Sequence, residues 1–290
     1  AIEPLDFETL RLAFLDRFTA EWNEQRLADP TLPEFGVGGL EANPAARVAR
    51  AWSYLRLLDR QRVNDAISAV LALRARRTDL DNVVARQGIQ RLVVTPATDE
   101  APAVMESDIG LLRRYLLSFD RASAGSTGRY LFEAWTAWPG MGDADVVGRA
   151  VHGRRGESDV VVTGPDGRAP TLEELAAVRA AVSAPNVKPE AVGVSVLAAT
   201  RLEYQAALVI TVPAIGPDAE IVRLEAVARV RAAADARTVI GGEVPADLLS
   251  GAAYGPNVIK VRDLAPVVIA PGAYTVPVLT DIAVSVEVRA

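Results

Sequence analysis

The chain has no cysteine and only one histidine, His152, among its 290 residues. Without thiols there is no disulfide, no thiolate nucleophile and no cysteine metal site, so stability must come from packing or from partners. Lysine is nearly absent as well: Lys188 and Lys260 are the only two, and arginine carries the rest of the basic charge. With 31 basic against 37 acidic residues the net charge is −6, so no general attraction to phosphate backbones or anionic lipid arises, and nucleic acid is not an expected partner. No window reaches the ~18 apolar residues of a membrane span, and Ala1-Ile2-Glu3-Pro4-Leu5-Asp6 places no basic region ahead of an apolar stretch. No membrane association and a cytoplasmic site of assembly are expected.

The composition that remains is ordinary for a folded chain, 50% apolar and 23% charged. Its length favours two or three packed units. Residues 6 to 28 carry Leu10, Phe14, Phe18 and Trp22 every four positions, the stripe of an amphipathic helix. Prolines and glycines between 29 and 45, including Gly36-Val37-Gly38-Gly39, predict a connector. From Ala45 to Arg76 the positions Val48, Trp52, Leu55, Val63, Ile67, Val70 and Leu73 keep helical spacing. Such a helix is roughly 45 Å long, more than a small core needs, and helices of this length often pack against another chain or bridge two parts of a structure. Thr78 is the expected cap of a short helix stopped by Gly88. Further helices are expected after Ser107 and from Ser126 or Thr127 to Pro139.

Beyond Gly140 the texture changes. Val146 to Val151 and Asp159 to Val162 read as strands, and Gly164-Pro165-Asp166-Gly167 as a turn. Thr171 with Glu174 forms a capping box opening a helix that ends at Pro185. Strands follow at Val192 to Ala198 and Tyr204 to Val212. The next helix, about Pro217 to Ala236, has Ile221, Leu224, Ala228 and Ala232 as its apolar face. Leu248-Leu249 suggests one more helical turn or two, and Val258 to Val261, Val267 to Ile269 and Ile282 to Val288 read as strands. The expected fold is α+β: a helical N-terminal region with a long helix, then small mixed domains of sheet and helix. The divisions fall at 1–44, 45–138, 139–200 and 201–290.

Chemistry-bearing motifs are sparse. His152 lies between a strand and a turn with no nucleophile motif, Gly125-Ser126-Thr127-Gly128 has the wrong spacing for a nucleophile elbow, and no Gly-Lys-Ser/Thr follows a glycine loop. Of the carboxylate pairs Asp79/Asp81, Glu106/Asp108, Asp143/Asp145 and Glu173/Glu174, only Asp143/Asp145 has no helix start to account for it. No cofactor and no metal site are expected. An enzyme using Asp143, Asp145 and His152 as acid, base or metal ligands stands as the alternative. Trp22 and Trp52 admit two readings, an internal core or a seam facing a partner.

Several stretches together resemble the baseplate J-like proteins of contractile-tailed phages. They are Arg60-Gln61-Arg62-Val63-Asn64-Asp65-Ala66, Asp79-Leu80-Asp81, Arg91-Leu92-Val93-Val94-Thr95-Pro96-Ala97, Ala103-Val104-Met105-Glu106-Ser107-Asp108, and Ala124-Gly125-Ser126 with Tyr130. Val187-Lys188-Pro189 with Glu203-Tyr204 extends the likeness into the second half. The resemblance implies a non-enzymatic wedge subunit of the tail baseplate. It would pair with itself and with other wedge proteins, through a helical bundle, and meet the tail hub and sheath-initiating proteins. Trp22, Trp52, Leu55, Arg60, Arg62 and Val63 are the expected partner-contact residues, in a protein located in the virion.

Overall fold

The computed structural model describes residues 2–36 and 43–289. The expected turn at Gly36 to Gly39 lies, apart from Gly36, outside the described residues. By contacts the chain forms two units, Ala1–Gly88 and Ile89–Ala290.

The first unit is helical. Helix α1 (Phe7–Ala28) starts at Asp6, whose carboxylate accepts hydrogen bonds from the backbone N–H of Glu8 and Thr9. Helix α2 (Pro44–Val70) starts at Asn43, with Pro44 in the first turn where its missing N–H costs nothing. Ala46, Ala49, Ser53 and Asn64 are buried on one side of α2, and α1 packs against this helix. Small residues there let the backbones approach closely. Asn64 is buried but fully engaged: its side chain donates to Glu3 O and accepts from Glu3 N, both at 2.8 Å, tying the N-terminal segment to the helix.

Helix α2 stops at Val70, six residues before the expected Arg76. The chain turns through Leu71 to Arg77 into α3 (Thr78–Ala85), which packs against α2, and Ala75, Leu80, Val83 and Val84 are buried. No proline or glycine marks this break, which tertiary packing imposes on a sequence of good helix formers. Thr78 is not a cap. Arg77 occupies that position at φ +51 without a side-chain capping bond, and Thr78 is the first helical residue.

The second unit opens with a short hairpin, β1 (Val93–Thr95) and β2 (Val104–Met105), inside a region whose sequence reads as mainly helical. Ser107 and Ser126 cap α4 (Asp108–Leu117) and α5 (Thr127–Ala137), accepting from Gly110 N and Arg129 N. A first sheet follows, made of β3 (Asp143–Val147), β4 (Glu157–Thr163) and β5 (Gly193–Ala198), with β3 antiparallel and β5 parallel to the central β4. Strand β3 ends at Val147. The residues expected to prolong it form a single helical turn, α6 (Arg149–His152), closed by Gly153 at φ +78, because Val147 is the last side chain to reach the core. Helix α7 (Leu172–Val182) has the full capping box, and Val178 and Val182 pack with Tyr130, Trp135, Trp138, Val160 and Val196. Gly142 lies so close to the β4 end that a Cβ there would stand 2.1 Å from Gly164 O.

A second sheet is built on β6 (Thr200–Pro213), with β7 (Lys260–Asp263) antiparallel on one side and β8 (Thr275–Arg289) parallel on the other. Helices α8 (Ala219–Asp235) and α9 (Leu248–Ala253) cover one face. The buried face of α8 is Val222, Ala226, Val230 and Ala234, whereas the expected face of Ile221, Leu224, Ala228 and Ala232 is exposed. Both sets have helical spacing, and the branched side chains of Ile221 and Leu224 mislead because the close approach of helix to sheet selects small residues. Between Val267 and Ile269 the expected strand reduces to one bridge, Ile269 with Val244. The two sheets share a core of Val147, Val161, Ala199, Val276 and Val278, and Tyr274 Oη donates to the buried Asp159 at 2.7 Å.

A candidate interaction surface on the long helix

Side chains three and four residues apart share a face of a helix. On α2 the positions Leu55 and Arg62 lie opposite the buried Ala46, Ala49, Ser53 and Asn64, with Val48 beside them and Trp52 and Val63 on the flank. Leu55 is 61% exposed, Val63 46% and Trp52 39%. Tyr54 and Leu58 add further exposed apolar surface. Isolated exposed leucines need no explanation, but a stripe running along one helix is the arrangement that a partner helix covers.

The other two expected contact residues lie elsewhere. Trp22 stacks near Phe18 and Phe35, and its indole N–H donates to Pro33 O at 2.9 Å, so it holds the segment after α1 against that helix. Arg60 turns toward the N-terminal segment, pairing with Glu3 at 2.9 Å and donating to Pro4 O at 3.1 Å. Trp52 borders both environments, its ring 5.3 Å from that of Phe14 on α1 and its far edge in solvent. The spacing of Val48, Trp52, Leu55 and Val63 was the readable signal for this face. The buried small residues away from it were the signal that α1 packs there.

The residues of the alternative acid-base site are engaged separately. Asp143 accepts from the N–H of Ile240 at 2.9 Å and ties the first sheet to the second half of the unit. Burial pushes its carboxyl above the ordinary value, opposed by the N–H groups of Ile240 and Ala144. Asp145 accepts from Val146 N, and His152 Nδ1 accepts from Arg154 N. A cavity of about 590 Å³ in the second unit is lined by Asp166, Arg231, Asp235 and Thr238, and by none of these three. Among the described residues no group of three or more His, Cys, Asp or Glu side chains is placed to hold a metal ion, and no helix is long and apolar enough to cross a membrane.

Known proteins match this chain as well. The family model described as the baseplate J-like N-terminal domain matches residues 41–98, from the start of α2 through β1. Baseplate protein J of Escherichia phage P2 is 31% identical over 287 residues, covering 91% of this chain and 87% of that protein. The similarity therefore runs through both units, the strand-rich half included, and on that extent of shared sequence the chain belongs to the baseplate J-like family.

Proposed function

We propose that this protein is a structural subunit of the baseplate wedge of a contractile phage tail, resident in the virion. It pairs with a second copy of itself and with other wedge proteins through the outward face of α2. Its α+β unit joins neighbouring wedges around the tail hub, beside the sheath-initiating proteins, and takes part in the shape change that triggers sheath contraction. Such work needs large surfaces and bistable contacts more than a pocket.

The observation that carries this reading is the exposed stripe of Val48, Trp52, Leu55 and Val63 on a 27-residue helix, in a chain similar to a protein named for the baseplate. The economy of the first unit supports it. Among the described residues its larger buried apolar side chains are Leu10, Leu15, Leu80, Val83 and Val84, a small set for helices of this length.

The test is the mass, by light scattering, of the chain co-expressed with the products of its neighbouring genes. A stable complex containing two copies of this chain and a helical partner is expected, and Trp52→Glu with Leu55→Glu should dissociate it while leaving the circular dichroism spectrum unchanged. A monomer that ignores those neighbours, or a complex indifferent to the two substitutions, would remove α2 as the contact.

A further inference from the structure

Strand β8 is the outer strand of its sheet, paired only with β6. Its free edge has two distinct halves. In the first, Gly241 N donates to Thr275 O, Pro277 has no N–H to offer, and Arg231 Nη1 donates to Leu279 O. Thr280 is then an extra residue where the β6 register shifts, and such a bulge bends the edge. These are the devices by which proteins close an exposed strand.

The second half is open. Ala214 N donates to Arg289 O, so Arg289 turns its backbone groups toward β6. Backbone direction alternates along a strand, so Ile282, Val284, Val286 and Val288 turn their N–H and C=O groups outward. No other described residue hydrogen-bonds to these groups, and this stretch contains no proline and no lysine.

We propose that this edge pairs antiparallel with the same edge of a second copy of the chain, with Ser285 on the two-fold axis. The register follows from two independent requirements. Only alignment about Ser285 sets all four open residues against open residues, Ile282 with Val288 of the second copy and Val284 with its Val286, so that every outward N–H and C=O is satisfied. On the opposite face the same alignment sets Asp281 against Arg289 of the second copy, twice by symmetry. Neither Asp281 nor Arg289 has an ion-pair partner among the described residues. A slip of two residues in one direction sets Asp281 against Glu287, and like charges directly opposite are unfavourable. The pairing also covers Val288, which is 61% exposed. It is a second self-contact that goes beyond the α2 face and does not depend on it.

Because the chain has no cysteine, one introduced thiol reports the register. Ser285 would face its own copy in a non-hydrogen-bonded pair, where Cα atoms lie about 4.5 Å apart, within disulfide reach. In the full chain carrying Trp52→Glu and Leu55→Glu, Ser285→Cys should form a covalent dimer on mild oxidation with oxidised glutathione, and Ala283→Cys should not. Asp281→Arg should weaken the non-covalent dimer about tenfold, and adding Arg289→Asp should restore it. Cross-linking equal at both cysteine positions, or no dimer from Ser285→Cys, would overturn the proposal. So would slow amide exchange at Val284 and Val286 that appears only when a different baseplate protein is present. Because the α2 face is already disabled in this background, loss of its contact cannot be mistaken for failure of the strand pairing.

Discussion

Glu106 and Arg114 face each other with both side chains 4% exposed, N to O at 3.2 Å. Arg114 also donates to Gln90 O at 2.8 Å, and Glu106 accepts from Leu92 N at 3.3 Å. Burial pushes the Glu106 carboxyl above its ordinary value and draws the Arg114 guanidinium below its own, each countered by the charge of the other. The pair is valuable only as a pair, because removing one partner leaves the other charge buried and alone. Glu106→Gln should therefore lower stability by about 3 kcal/mol in urea denaturation. Glu174 is the opposite case: hydrogen bonds from Arg168 hold its carboxyl at about 2, against an ordinary 4.5. A lowered folded value means stability that is complete above 4.5 and lost as pH falls through about 2. Both partners are partly in solvent, so the acid-linked loss that disappears in Glu174→Gln should be only about 1 kcal/mol.

At the scale of elements, the capped helices were legible and the packed faces were not. Ser107, Ser126 and Thr171 cap the helices expected after them, because a cap is a contact within a few residues of sequence, whereas Thr78 is not the expected cap, and the caps Asp6 and Asn43 emerge only in the structure. The end of α2 and the face of α8 depend on distant partners. Leu71 to Leu73 would continue a helix, but α3 packs against α2, and Val222, Ala226, Val230 and Ala234 win the sheet-facing side of α8 because small side chains allow a closer seat. The exposed α2 stripe belongs to this scale too. Leu55→Glu should leave the thermal midpoint nearly unchanged, since that side chain is 61% exposed, and Trp52→Glu should lower it only by the lost ring contact with Phe14, so that an association lost in Leu55→Glu as well reports contact and not unfolding.

At the scale of the whole molecule, the large buried clusters around Ile210, Val160 and Val161 all lie within the second unit. A fragment of residues 89–290 should accordingly fold alone, with a cooperative thermal transition and the near-ultraviolet signal of its buried Trp135 and Trp138. A fragment whose transition is broad, or whose tryptophans are solvated, would show that the unit needs the first 88 residues.

The sequence by itself determined the class of this protein: helices first, then mixed sheet and helix, with the absence of cysteine ruling out disulfides, thiolate nucleophiles and cysteine metal sites. It also carried the family likeness, in short motifs spread along the chain. The tertiary structure decided which of two helical stripes is core, where a helix without a breaker stops, that Arg60 and Trp22 serve their own unit, and which half of β8 is left open. Propensities, caps and turns are local energies readable over a few residues. Burial and strand-edge closure depend on neighbours tens of residues away, such as Arg231 on Leu279 O or Gly241 on Thr275 O, and only the folded chain brings those together.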